Sequence, residues 1–210
     1  MLDGRVRVGM PGKFNADNAL AALAVCTLAL SGGSGVLDDH TKQAILGSLV
    51  KVRVDGRMEI AHVSKKCSVI VDYAHNAVSM ESLLTTLRDY HPKRLVCVFG
   101  CGGNRARDRR YSMGEIGGKM ADLCIITADN PRFEKNEDII KDIEVGLAKT
   151  DGTYLVIPDR REAIFYAIRN AEEGDMIAII GKGHEDYQEI EGVKHHFLDR
   201  EVVEEAVNNV

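Results

Sequence analysis

Short apolar runs alternating with helical patterns constrain this chain more than anything else in it. Residues 68–72, 94–99, 123–127, 154–157 and 176–180 read as strands, and residues 77–90, 109–120, 137–147 and 160–171 as helices between them. Leu123-Cys124-Ile125-Ile126, apolar at every position, suits a strand covered on both faces, the environment of a parallel sheet. Strands alternating with helices of about a dozen residues make βαβ crossover units. The expected class is therefore α/β with a mostly parallel sheet. A hairpin over 187–190 and 193–197, turning at Glu191-Gly192, and a helix from Asp199 are expected to close the chain.

The N-terminal part follows a different pattern. Asn15-Ala16-Asp17-Asn18 opens a long Ala/Leu-rich helical segment, Gly32-Gly33 stops it, and residues 39–49 read as a second, amphipathic helix. With no strand between them, these helices cannot make a sheet, and they read as the end of a domain. The boundary is expected near residues 51–55, which divides the chain into 1–53 and 54–210.

Composition narrows the function classes. Of 210 residues, 45% are apolar and 28% charged, an ordinary balance for a chain with a full core. A net charge of −5 argues against a general affinity for nucleic acid. No apolar run approaches the roughly 20 residues of a membrane span, and Met1-Leu2-Asp3-Gly4-Arg5 lacks the apolar core of a signal peptide. Cys26, Cys67, Cys97, Cys101 and Cys124 are odd in number and form no CxxC pair. Those in apolar runs act as small hydrophobes. The expectation is a cytoplasmic chain without structural zinc.

Polar residues gather where the strands end, and in open α/β sheets ligands sit beyond those ends. Asp72-Tyr73-Ala74-His75 follows the first strand and Gly100-Cys101-Gly102-Gly103-Asn104-Arg105 the second. Asp129-Asn130-Pro131-Arg132 follows the third and Gly181-Lys182-Gly183-His184-Glu185 the last. Pro131 fixes its own φ and biases Asn130 toward an extended backbone. Asn130 then offers an amide and Arg132 a planar fork that suits a carboxylate, together a grip for a zwitterionic amino acid. Asp72 reads either as a helix cap or as a carboxylate that binds sugar hydroxyls or orients His75. The glycines before Arg105 either make a tight turn or let a ligand approach the backbone. Lys182, between glycines, reads as part of a ligand loop or as a solvated lysine. His195 and His196 read as surface residues, and Cys97 and Cys101 as core and loop thiols. The chain contains no G-x-x-x-x-G-K-[ST], hence no P-loop to cradle a triphosphate.

Gly12-Lys13-Phe14-Asn15-Ala16-Asp17-Asn18, then Gly56-Arg57-Met58-Glu59, then the four strand-end loops resemble, in order, the motifs of the Mur ligases. These are ATP-dependent amide-forming enzymes of peptidoglycan precursor synthesis. The match covers essentially the whole chain and is to the member that adds a diamino acid to UDP-N-acetylmuramoyl-L-alanyl-D-glutamate. That family has a UDP-binding domain, a central P-loop ATPase and a C-terminal Rossmann-like domain. The resemblance thus implies a Rossmann-like, amino-acid-binding domain over 54–210, preceded in 1–53 by two helices from the end of the ATPase domain. It implies that Asn18, and with it Asn15, lies by the adenine of ATP, that Arg57 reaches the phosphates and Asp72 the ribose, with His75 in the same group. It implies that Arg105, Asn130, Arg132, Gly181 and Glu185 hold the incoming amino acid. The Asp-Asn-Pro-Arg form goes with meso-diaminopimelate, whose far carboxylate would pair with Arg132 while Glu185 holds an ammonium.

The implied reaction uses ATP and Mg2+ to convert the D-glutamate carboxylate to an acyl phosphate, from which the amine of diaminopimelate displaces phosphate. Both cofactors would be bound largely outside this chain, so no catalytic residue is assigned in it. It is expected to be monomeric and inactive alone, with no nucleic-acid or membrane partner. The family's usual Thr-Pro after Asp-Tyr-Ala-His is here Asn76-Ala77, with Asn76 expected to cap the next helix. Ala128 stands where many relatives have Ser or Thr. Two readings stay open beside this one: the same ligase class with another amino acid such as L-lysine, against which Arg132 argues, and a non-catalytic amino-acid-binding module.

Overall fold

The computed structural model of the chain describes residues 6–209, and the expectation about Met1-Leu2-Asp3-Gly4-Arg5 lies outside them. The chain divides into two compact units, Met1–Val54 and Asp55–Val210. In the first, α1 (Lys13–Leu30) and α2 (Asp39–Leu49) pack through Ala19, Leu23 and Leu49, with Val8, Ile45 and Leu46 against them. The Asp38 side chain caps α2 by accepting the Thr41 N–H at 2.9 Å. Leu20, Val25, Leu28 and Leu30 of α1 remain exposed. A helix apolar on all sides belongs in an interior, and α2 covers only one side of it.

The second unit is a sheet covered by helices. Its elements are β1 (Glu59–Val63), β2 (Cys67–Asp72), α3 (Ala77–Arg88), β3 (Arg94–Phe99), α4 (Arg107–Met120), β4 (Leu123–Ile126), α5 (Asn136–Leu147), β5 (Tyr154–Val156), α6 (Arg160–Arg169) and β6 (Asp175–Ile180). A hairpin of β7 (Tyr187–Ile190) and β8 (Val193–His196) forms a separate small sheet, and α7 (Asp199–Asn208) follows. The main sheet has the order β1-β2-β6-β3-β4-β5. All its pairings are parallel except β1 with β2. β1 lies outside the sequence expectation, for a physical reason. As a partly exposed antiparallel edge strand, irregular in register between Ile60 and His62, it needs no apolar run.

Both faces of the sheet are buried, which is why its strands are apolar at successive positions. Val96, Val98, Ile177 and Ile179 pack on one face with Ala163, Ile164 and Ile168 of α6 and Val202, Val203 and Ala206 of α7. The intervening Leu95, Cys97 and Phe99 are equally buried, as are Met80, Leu84, Met113, Ile139 and Ile143 of α3, α4 and α5. Asn76 caps α3: its side chain accepts the Ser79 N–H at 3.0 Å, and the Ser79 hydroxyl accepts the Asn76 N–H at 3.3 Å.

One buried ion pair ties the strand ends to two helices. Arg160, at the start of α6, donates from Nε and Nη2 to Asp199, at the start of α7, at 2.7 and 2.8 Å. Its remaining donors reach the carbonyls of Ala128 at 3.2 Å and Ile180 at 3.0 Å. Those carbonyls immediately precede Asp129 and Gly181, the first residues of two of the polar loops.

Candidate functional site

β2, β6, β3 and β4 are neighbours in the sheet and parallel, so the loops at their carboxyl ends meet on one edge. They enclose a cavity of about 190 Å³. Its wall brings together Arg105, Asn130, Arg132, Gly181 and Glu185 with His75 and Asp129. Tyr73 and Arg109 complete its polar lining.

The Asp129–Arg132 turn is held by the loops around it. Asn130 donates from Nδ2 to Glu185 Oε2 at 2.8 Å, and its Oδ1 accepts the Glu189 N–H at 2.9 Å. Arg132 has φ +54 and donates from Nη1 to the Gly103 carbonyl at 2.8 Å, with Nε 3.3 Å from Glu189 Oε2. A left-handed non-glycine backbone costs about 1–3 kcal/mol and persists where the surroundings enforce it. Asp129 is buried, and its carboxylate draws no hydrogen bond from any described residue. Burial pushes its pKa up, while Arg160 and Lys182 pull against that shift.

The Gly181–Glu185 loop closes the cavity beside Asp129. Gly181 has φ +111, and a Cβ there would stand 2.7 Å from Asp129 Oδ2. Glu185 accepts from the Tyr73 hydroxyl at 3.3 Å as well as from Asn130. Lys182 is fully buried, bonded to the Tyr187 carbonyl, 3.3 Å from Asn130 Oδ1 and 3.5 Å from Glu185 Oε2. Burial lowers its pKa, with Asp129 opposing. It is thus neither solvated nor aimed at the cavity: it is a strut beneath Asn130 and Glu185. The other loop glycines serve packing too, since a Cβ on Gly103 would overlap the Pro131 carbonyl oxygen. Three arginines and two carboxylates line one small space, an arrangement for a ligand carrying both signs of charge.

Comparison with known proteins gives this geometry a family. A family model described as "Mur ligase, glutamate ligase domain" matches residues 56–183. The chain belongs to the Mur ligase family. It is 43% identical over 203 residues to the UDP-N-acetylmuramoyl-L-alanyl-D-glutamate–2,6-diaminopimelate ligase of Clostridioides difficile, covering 97% of this chain and 40% of that protein. It is 46% identical over 196 residues to the ligase of the same name from Aquifex aeolicus, covering 93% of this chain and 38% of that one. A solved structure of a ligase of that name superposes with a TM-score of 0.71 at 36% identity, covering 97% of this chain and 40% of the other. The chain therefore spans about two fifths of the length of the curated relatives it matches.

The remaining Mur ligase positions lie as follows. In the first unit Asn15 is buried and donates to the Pro11 carbonyl at 2.6 Å, while Asn18 donates to Asn15 Oδ1 at 3.3 Å. In the second unit the Arg57 guanidinium lies over the Tyr73 ring, 4.5 Å from its centroid. Asp72 is buried and accepts the N–H groups of Met58 at 2.7 Å and Ala74 at 2.8 Å. Burial raises its pKa, and those two bonds oppose the rise. Two alternatives for Asp72 are corrected here: Asn76 caps the helix, and His75 Nδ1 pairs at 2.9 Å with the Tyr73 carbonyl, not with Asp72. Each Asp72 oxygen keeps a lone pair for a hydroxyl. Cys97 and Cys101 are buried, and burial drives the Cys101 thiol up to about 12. Among the described residues no group of three His, Cys, Asp or Glu is placed to hold a metal ion. Arg109, missed in the sequence reading, lies in the first turn of α4, directly after the loop that carries Arg105; that place at a helix start beyond a strand end was the available signal.

Proposed function

We propose that residues 54–210 are the amino-acid-binding domain of a ligase joining meso-diaminopimelate to UDP-N-acetylmuramoyl-L-alanyl-D-glutamate, and that residues 1–53 end its ATP-binding domain. The cavity carries this reading. Diaminopimelate presents a carboxylate and an ammonium at each end, and the wall presents Arg132 and Arg105 for the carboxylates with Asp129 and Glu185 for an ammonium. Asn130 and Gly181 shape the space between them. The protein's part in the reaction is to hold the free amine in line with its acceptor. L-Lysine has no second carboxylate and would leave the Arg132 fork unmatched, which favours diaminopimelate.

ATP would supply the phosphoryl group that activates the acceptor carboxylate. Asn15, Asn18, Arg57, Asp72 and His75 are its proposed contacts here, with the lone pairs of Asp72 suited to ribose hydroxyls. Mg2+ is assigned to residues outside this chain. We place the reaction in the cytoplasm; all five cysteines are free thiols, in keeping with a reducing compartment.

Calorimetric titration of meso-diaminopimelate and of L-lysine into this chain and its Arg132→Ala variant tests the reading. Binding of diaminopimelate much tighter than that of lysine, with the preference abolished in the variant, is expected. A preference for lysine, or binding indifferent to Arg132, would overturn the substrate; no heat with either ligand would refute the claim that these residues suffice.

A further inference from the structure

Glu189 lies in β7, outside the cavity wall, yet it touches the Asn130 and Arg132 side chains of the Asp-Asn-Pro-Arg turn. Its N–H donates to Asn130 Oδ1 at 2.9 Å. Its carbonyl accepts the Arg132 N–H at 2.9 Å. Its carboxylate stands 3.3 Å from Arg132 Nε. The same strand end adds a fourth tie, the Glu191 N–H to the Arg132 carbonyl at 2.7 Å. The hairpin thus enforces the left-handed backbone of Arg132 from one side, while the Gly103 carbonyl takes Nη1 from the other.

The consequence follows from guanidinium geometry. An arginine is a rigid planar fork, and its value for a carboxylate depends on the direction of that plane. With Nη1 hydrogen-bonded to the Gly103 carbonyl and Nε in ionic contact with the Glu189 carboxylate, the plane is set before any ligand arrives. The two side chains are only 19% and 21% exposed, so salt screens this pair less than a surface pair. Held this way, the fork loses little rotational freedom on binding.

We propose that Glu189 is a positioning residue for substrate selection. It orients Arg132 toward the second carboxylate of a diamino dicarboxylic acid and makes no contact with the ligand itself. This rests on the reading of the cavity given above and adds to it a residue from the hairpin, to which the sequence motifs assign nothing. A diamino monocarboxylic acid, lacking that carboxylate, is indifferent to Glu189.

The test uses Glu189→Ala and Glu189→Gln in the full 210-residue chain, with two readouts. One is hydrogen exchange of the Arg132 Nε–H by NMR, assigned with Arg132→Lys; the other is titration with meso-diaminopimelate and L-lysine. In Glu189→Ala the Nε–H is expected to exchange faster as the carboxylate contact is lost, and diaminopimelate affinity to fall roughly tenfold, the usual scale for a group that orients a ligand-binding side chain. Lysine affinity and the melting temperature should stay unchanged. Glu189→Gln keeps an acceptor oxygen and should retain most of the affinity. Equal losses for both ligands, an unaffected diaminopimelate affinity, or a glutamine variant as damaged as the alanine one would each overturn the proposal. If the unmodified chain binds neither ligand, the cavity reading fails while the Nε–H exchange still decides whether Glu189 orders Arg132; unchanged exchange in Glu189→Ala then overturns this inference by itself.

Discussion

Replacing Arg160 by methionine should unfold the second unit well below the temperature of the parent chain. Both partners of the Arg160–Asp199 pair have fully buried side chains, so the substitution leaves an uncompensated carboxylate in the interior. Breaking such a pair costs about 3–5 kcal/mol. Two carbonyls, of Ala128 and Ile180, also lose a donor, at about 1 kcal/mol each, which places the loss at the upper end of that range. For a unit of this size each kcal/mol shifts the melting temperature by about 2–4 °C, so the expected drop is roughly 10–20 °C. All six tyrosines, and no tryptophan, lie after residue 54, so tyrosine fluorescence during urea or thermal unfolding reports this unit alone. The Arg160→Met, Asp199→Leu double variant removes both charges and should recover most of the lost stability. A single-variant loss under about 1 kcal/mol, or a double variant no more stable than the single, would show that the pair is not the tie described.

Asp129 links pH to binding and to stability with opposite signs. On the proposed reading the ionised carboxylate holds the ligand ammonium, so diaminopimelate affinity should weaken as pH falls through the raised Asp129 pKa, starting higher than for an exposed carboxylate; Asp129→Asn should flatten the calorimetric pH profile. A folded pKa raised above the ordinary 3.8 gives stability that is present below that value and lost as pH rises through the folded pKa, so Asp129→Asn should melt higher than the parent at neutral pH and lose the advantage in acid. Gly181→Ala forces a side chain onto φ +111 and within 2.7 Å of Asp129 Oδ2, and should cost about 1–3 kcal/mol by denaturant titration together with diaminopimelate binding.

The sheet was legible because its interior strands obey a simple rule. β2, β3, β4 and β6 are covered on both faces, so each is apolar along its length, and helices at crossover spacing mark them as parallel. β1 escaped because it joins β2 antiparallel, outside the crossover pattern, and its polar Glu59 and His62 interrupt any apolar run. The polar loops could be read because the strand ends collect side chains from distant positions in the sequence. What could not be read was which polar side chain faces inward. Lys182 and Glu185 are three residues apart, yet one is sealed beneath the loop and the other lines the cavity, a difference set by the turn geometry around Gly181 and Gly183. Arg110 is likewise buried against Glu134 and Asp142, whereas its neighbour Arg109 lines the cavity. Adjacent arginines look alike in a sequence; only the packing of α4 on α5 separates them.

Charge inside a domain is destabilising unless something answers it, and its distribution here is uneven. The strand interiors, such as Val69, Val98 and Ile177, carry none, while Asp72, Asp129, Lys182, Arg160 and Asp199 are buried around the carboxyl edge; Asp175 and Arg110 are buried elsewhere, paired with Arg94 and Asp142. Most of these are answered from within the protein. Asp199 has Arg160, Lys182 has a carbonyl, an amide and Glu185, and Asp72 has two backbone N–H groups. Each of these holds a loop in place. Asp129 has none of this, though burial raises its pKa as it does that of Asp72. Its nearest answering charges act through space from Arg160 and Lys182, both already committed elsewhere. The paired charges therefore build the site, while Asp129 lines the cavity without an ion pair of its own. On the proposed reading, a ligand ammonium placed against Asp129 supplies that partner, and the nearby Arg132 fork receives the carboxylate on the same carbon.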